Sequence, residues 1–291
     1  MLTIFLTCFA ATQQPPPQFE MEIRTVRLTD SLYVLEGAGG NVAVFVWEDG
    51  VLLIDDKLAP ASPQTKAAVA AITPKPIRFV VNSHWHRDHS GGNEALAIDG
   101  AVIVAHENVR RRMSVENFVA VFGVKAPASP PKALPIVTFT SDVTLHLGGE
   151  EISVTHIAPA HTDGDSFVRF RRANVLHLGD CYLNGSFPVV DASTGGSFQG
   201  TIAAIDTALG MVDARTRIIP GHGAVASEND LRDWRGMLVT INERVRKSVV
   251  AGKSLEQIKA ERPAKEWEER FTSSFVSSDH PIELAYEAAR K

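Results

Sequence analysis

From Arg24 onward the chain carries short β-branched and apolar blocks broken by glycine. Arg24 to Val26, Leu32 to Glu36, Val42 to Trp47 and Val51 to Asp55 are separated by Gly37, Gly39, Gly40 and Asp49-Gly50, a texture that predicts meandering antiparallel strands. Ala59 to Ile72 reads as helix, and Ile77 to Asn82 and Ala101 to His106 as strands. Glu107 to Phe118, with one charged face, suits a surface helix. Pro127, Pro130, Pro131 and Pro135 predict that Val115 to Pro135 is a loop crossing over the fold. After it, Val143 to Leu147 and Glu150 to Ile157 flank Gly148-Gly149, the clearest hairpin signal, and Phe167 to Phe170 and Asn174 to Leu178 extend that sheet. Thr201 to Val212 is helical, Arg217 to Ile219 a short strand and Glu228 to Val250 a long amphipathic helix, with Leu255 to Glu261 and Ile282 to Arg290 closing the chain. Two meander-rich halves in β, α, β, α order predict an α/β fold of two sheets packed face to face with helices outside.

Met1 to Phe19 has no charged side chain, and the apolar block Leu2 to Ala11 runs into Pro15 to Pro17. This reads as a secretory leader (1–19) before a single domain (20–291), hence a periplasmic or secreted protein; as a plain N-terminal tail it would leave the protein cytoplasmic. With 29 Lys plus Arg against 34 Asp plus Glu, net charge −5, there is no basic excess to neutralise a phosphate backbone, and nucleic acid is excluded as the expected partner. No run of eighteen apolar residues follows the leader, so no membrane span is expected. Cys8 and Cys181 cannot make a disulfide framework, which leaves packing to hold the fold.

The candidate chemistry is concentrated after Ile77 to Asn82. In Ser83-His84-Trp85-His86-Arg87-Asp88-His89-Ser90-Gly91-Gly92, four potential metal ligands fall within six positions at a strand end, a grouping with no packing rationale. In extended backbone His84 and His86 share a face while Trp85 points away; past the strand, Asp88 and His89 become available to a second ion. A four-coordinate site needs further ligands from other strand ends. His161, in Ala160-His161-Thr162-Asp163-Gly164-Asp165, and His222, in Pro220-Gly221-His222-Gly223, both follow apolar strands. Asp180 ends Val175 to Gly179 with a carboxylate able to bridge two cations. Cys181 is the rival beside it, since thiolates also bind zinc, and on a continuing strand only one of the two can face the metals. The remaining histidines, His106, His146, His156, His177 and His280, read as structural, with His177 near enough to a ligand to support one.

This ordered set, His84-Trp85-His86-Arg87-Asp88-His89, then His161, Asp180 and His222, resembles the metallo-β-lactamase superfamily of dinuclear zinc hydrolases. The resemblance implies a four-layer αββα sandwich with two Zn2+ at one sheet edge. It also implies that His84, His86 and His161 hold the first zinc and Asp88, His89 and His222 the second, with Asp180 between them. Water shared by two such ions is expected to titrate near about 7, giving hydroxide to attack a carbonyl, with Asp88 orienting it and passing on its proton. Zinc β-lactamases that use cysteine at the bridging place carry a lysine three residues on; here Leu183 stands three residues after Asp180 and Asn184 three after Cys181, and Asn184 is expected to polarise a carbonyl instead. Trp85, Tyr182, Phe187 and Ser193 to Phe198 are expected to line a shallow apolar cleft. The expected activity is β-lactam amide hydrolysis of a small-molecule substrate. The alternatives are a lactonase or thioesterase of the same fold, and a mononuclear-iron thiol or persulfide oxidase, which a complete second ligand set disfavours. A non-catalytic metal-binding protein is disfavoured because no ligand is missing.

Overall fold

The computed structural model describes residues 22–157, 159–271 and 274–290, so the expected leader lies outside the described residues. Seven strands form the first sheet: β1 (Arg24–Arg27), β2 (Leu32–Glu36), β3 (Val42–Trp47), β4 (Gly50–Ile54), β5 (Ile77–Asn82), β6 (Val102–His106) and, after a separate hairpin of β7 (Asn117–Val119) and β8 (Val124–Ala126), β9 (Val137–Phe139). They lie in chain order, antiparallel through β4 and parallel from β4 to β9. The second sheet runs β10 (Asp142–Leu147), β11 (Glu150–His156), β12 (Ser166–Phe170), β13 (Val175–His177) and β14 (Arg217–Ile219), with only the last pair parallel. Gly148 and Gly149 take φ of +54° and +77° between Leu147 and Glu150, the mirror-image turn that a glycine pair permits and that matches strand twist.

Alternate side chains along β3, β4 and β5 go to different cores. Ala43, Phe45, Leu52, Ile54 and Val81 meet Ile152, Val154, Val168 and Phe170 of the second sheet. Val42, Val44, Val51, Leu53 and Val80 turn outward to Val69 of the Ser62–Ile72 helix and Leu96 of the Asn93–Ile98 helix. On the far side, Phe167, Leu176 and Tyr182 pack against Trp234, Leu238 and Ile241 of the Glu228–Val250 helix. This is the expected αββα sandwich. Each such buried side chain contributes about 1.5–3 kcal/mol, so packing and not cross-linking holds it; Cys181 is a free, buried thiol. Among the described residues no helix is long and apolar enough to cross a membrane.

Three expectations are corrected in the first half. The helix expected over Glu107 to Phe118 ends at Met113, where the Asn117 side chain takes over the carbonyls of Arg112 and Val115 and turns the chain into β7. The expected crossover loop contains the β7–β8 hairpin, whose three-residue strands are too short to carry a readable alternation. Strand β5 ends at Asn82, so Ser83 to Trp85 bend where extended backbone was expected, and the helix Arg87–Ser90 takes up the rest of the motif.

Lys57 pins the backbone beside the motif. It is fully buried, and its Nζ donates to Leu35 O at 3.0 Å, to Gly40 O at 2.8 Å and to Gly37 O. Burial pushes the ammonium down to about 8, against the attraction of Glu36, Asp55 and Asp88. Lys57→Met keeps the stem but leaves three carbonyls without a donor. Urea unfolding of the metal-free protein is expected to show a loss of about 3 kcal/mol or more; an unchanged midpoint would contradict the pinning role.

Candidate metal centre

The carboxyl ends of β4 and β5 in one sheet, and the loops after β11, β13 and β14 in the other, open at the same edge of the sandwich. Seven side chains meet there. The ligand atoms of His84, His86 and His161 form one group within 4.8 Å of one another, and those of Asp88, His89 and His222 form a second within the same limit. His86 Nδ1 lies 2.8 Å from His161 Nε2, and His89 Nε2 lies 3.2 Å from His222 Nε2. Asp180 sits between the groups: Oδ1 is 3.0 Å from His89 Nε2, and Oδ2 is 3.6 Å from both His161 Nε2 and His222 Nε2. Asp88 Oδ2 is 3.1 Å from His222 Nε2.

The hydrogen bonds on the outer sides of the rings fix what the inner sides offer. His86 Nε2–H donates to Asp191 Oδ2 at 3.1 Å and His161 Nδ1–H to Val189 O at 2.7 Å. Their inner nitrogens therefore present lone pairs to each other. Ser83 Oγ donates to Asp55 Oδ2 at 2.7 Å and so accepts from His84 Nδ1–H at 3.1 Å. His84 Nε2 is left buried with no partner. His89 Nδ1–H donates to Asp55 Oδ2 at 2.7 Å. Converging lone pairs and an orphaned buried nitrogen are costly unless a cation lies among them. That donor set, three imidazoles beside two imidazoles and a carboxylate with a shared carboxylate, fits borderline divalent metals such as zinc.

Electrostatics point the same way. Burial drives His84 and His161 down, so both stay neutral. Burial also opposes charge on His89, but Asp180, Asp88 and Asp55 outweigh it and hold that imidazole well above its usual range. The pocket thus favours positive charge, which a bound cation supplies while releasing the proton. Burial opposes ionisation of Asp88 and Asp180 too, yet the neighbouring imidazoles keep both well below the usual carboxylate range. For Asp191, burial is outweighed by hydrogen bonds from His86, Ser193 and Thr194, which hold it at about 2.

Two glycines are required by close approach. A Cβ on Gly40 would fall 2.1 Å from the His89 ring, and one on Gly221 would fall 1.9 Å from Asp180 Oδ1. Asp180 itself lies on a tight 3-10 turn, Gly179–Cys181, not on a continuing strand as expected. Its carboxylate faces the histidines while the Cys181 thiol is buried beside Asp165, whose charge, together with burial, pushes it up. His177 is fully buried; its Nδ1 accepts from Gly179 N at 3.2 Å, supporting the turn that presents Asp180.

Asn184 departs from expectation. Its Nδ2 donates to Ala224 O at 2.9 Å, and its backbone N–H donates to His222 O at 3.0 Å, so it braces the His222 loop and does not line the cavity. Tyr182 and Phe187 are likewise core residues, packed edge-to-face on Trp234 and Phe271. The cavity over the site, about 270 Å³, is instead walled by Trp85, the β7–β8 hairpin, Val189 and Phe275. Trp85 does not point away; its Nε1–H donates to Thr194 Oγ1 at 3.3 Å. Sequence reasoning missed Asp55, Ser83 and Asp191. Asp55 had a signal, as the first carboxylate after a wholly apolar strand that ends at this edge, whereas Asp191 lies in an irregular loop with none.

A family model described as the metallo-beta-lactamase superfamily matches residues 36–260. Among curated proteins, the chain is 24% identical over 177 residues to the 2,4-dinitroanisole O-demethylase subunit alpha of Nocardioides sp. (strain JS1661), covering 59% of this chain and 50% of that protein. The chain thus spans about half the length of this relative. Among solved structures, a metallo-beta-lactamase from Pontibacter korlensis superposes with a TM-score of 0.59 at 18% identity, over 74% of this chain and 99% of that one. The stereoselective inverting sec-alkylsulfatase Pisa1 from Pseudomonas sp. superposes with a TM-score of 0.66 at 19% identity, over 91% of this chain and 50% of that one. Fold, ligand geometry and a family match over most of the chain agree: this protein belongs to the metallo-beta-lactamase superfamily.

Proposed function

We propose that this chain is a dinuclear zinc hydrolase that opens a carbonyl bond, with the strained amide of a β-lactam as the first substrate class. The observation that carries the reading is the sharing of Asp180 by two ligand groups that open into one cavity. His84, His86 and His161 would hold one zinc and Asp88, His89 and His222 the other, with Asp180 common to both. When bound, such a pair supplies Lewis acidity and brings the pKa of water toward about 7.

The protein's own groups supply placement. Asp88 is one-third exposed to the cavity and is held as a carboxylate, so it can orient an attacking water and accept its proton. The outer hydrogen bonds that the imidazoles donate to Asp55, Ser83, Asp191 and Val189 O keep the rings from rotating as charge develops. Lys125, at the cavity rim and paired with Glu116 at 3.2 Å, can exchange that partner for the carboxylate a β-lactam carries. A second reading, a lactone or thioester, is favoured by the apolar wall of Val119, Phe122, Val124 and Phe275, which suits an acyl chain.

Two outcomes follow. Asp88→Asn, assayed with both zincs loaded, is expected to lower kcat by about 10²- to 10⁴-fold while zinc affinity at the three-histidine group changes far less; unchanged turnover would remove the proposed role. On a panel of a chromogenic cephalosporin, a lactone, a thioester and a secondary alkyl sulfate, the amide is expected to react fastest, and chelation to abolish every activity. Lactone or thioester turnover alone would establish the second reading. A single iron per chain with oxygen uptake would overturn both.

A further inference from the structure

The β7–β8 hairpin does more than roof the cavity. Phe122 and Val124, 48% and 49% exposed, stand at the mouth opposite Phe275, 53% exposed, whose ring packs edge-on against His222 with centroids 4.7 Å apart. Large apolar side chains left in water and gathered at one opening mark a binding surface. They line the same cavity as His86, His161, Asp88 and His222.

Besides the packing of Val119 and Ala126 on Trp85, the same hairpin is hydrogen-bonded toward the first ligand group through one short turn, Ala192–Thr194. Ala120 N–H donates to Ser193 Oγ at 3.2 Å. The Ser193 hydroxyl hydrogen has two acceptors, Phe118 O at 2.8 Å on the hairpin and Asp191 Oδ1 beneath it. Asp191 Oδ2 in turn accepts from His86 Nε2–H and, at 2.7 Å, from Thr194 Oγ1, which itself receives the Trp85 indole N–H. Two walls of the cavity, the hairpin and Trp85, thus reach the carboxylate behind His86 through adjacent hydroxyls. A cation on His86 Nδ1 would make Nε2–H a stronger donor, order Asp191 and, through Ser193, hold the hairpin down.

We infer that Ser193 is a positioning residue coupling the Asn117–Ala126 hairpin to the metal ligand His86 through Asp191. The inference rests on the metal-centre reading above, but not on which bond is cleaved. Because the coupling is an equilibrium property, each end must stabilise the other.

Two measurements on the full chain test it without requiring turnover. The first is hydrogen exchange over residues 117–126 with and without zinc, in the wild type, Ser193→Ala and Ser193→Thr. Zinc is expected to slow exchange several-fold in the wild type and in the threonine variant, which keeps the hydroxyl, and to have no effect there in the alanine variant. The second is chelator competition, expected to show about three- to tenfold weaker zinc binding in Ser193→Ala alone. Zinc-independent exchange in the wild type, or retained protection in Ser193→Ala, would overturn the coupling. Failure of every substrate on the hydrolysis panel would overturn the proposed activity and leave these outcomes standing.

Discussion

Four imidazoles at the sheet edge have one nitrogen committed to the scaffold, and everything the site can do depends on that commitment. His84 is held through Ser83, His89 by Asp55, His86 by Asp191 and His161 by the Val189 carbonyl. With the outer nitrogen protonated, each ring in its neutral form can offer only a lone pair inward, His89 once its second proton is given up, and these nitrogens converge on two neighbouring points. A site built this way does not need a metal to shape it. It is a cage of acceptors, with Asp88 and Asp180 adding negative charge, which a cation placed inside would stabilise further.

The sandwich makes the cage possible by bringing chain ends together that are far apart in sequence. Asp55 follows β4 and the histidine motif follows β5, in the first sheet; His161, Asp180 and His222 come from loops of the second. The two sheets hold register through the shared core of Phe45, Ile54, Ile152 and Phe170, so both halves of the ligand set inherit a rigid frame. Lys57 fixes the first-sheet side of the seam, and Asn41 locks it across. Asn41 Nδ2 donates to Pro220 O at 2.9 Å and Gly223 O at 2.8 Å, tying the loop before β3 to the His222 loop across the sheets.

Much of this was legible in the sequence, for physical reasons that differ by residue. His84, His86, Asp88 and His89 were readable because four ligands in six positions answer no packing need. His161, Asp180 and His222 were readable because each follows an apolar strand, and strand ends are where a sandwich concentrates function. The glycine-pair turn and the long helix over Glu228–Val250 carried their own local signals. Asn184 misled because spacing along a chain does not say which way a loop side chain turns; here the pairing of Leu183 with His222 sends the amide to Ala224. The hairpin over the cavity was invisible because three-residue strands draw their stability from partners elsewhere, among them Ser193 and Arg87, whose guanidinium donates to Pro127 O. Asp191 has no pattern to betray it.

The central claim, that two cations sit in these two cages and share Asp180, is tested most directly by anomalous diffraction at the zinc edge from crystals of the zinc-loaded protein. The account requires two peaks about 3.5–4 Å apart, one within bonding distance of His84, His86 and His161, the other of Asp88, His89 and His222, with the Asp180 carboxylate between them. A single peak, or zinc bound away from these side chains, would contradict it.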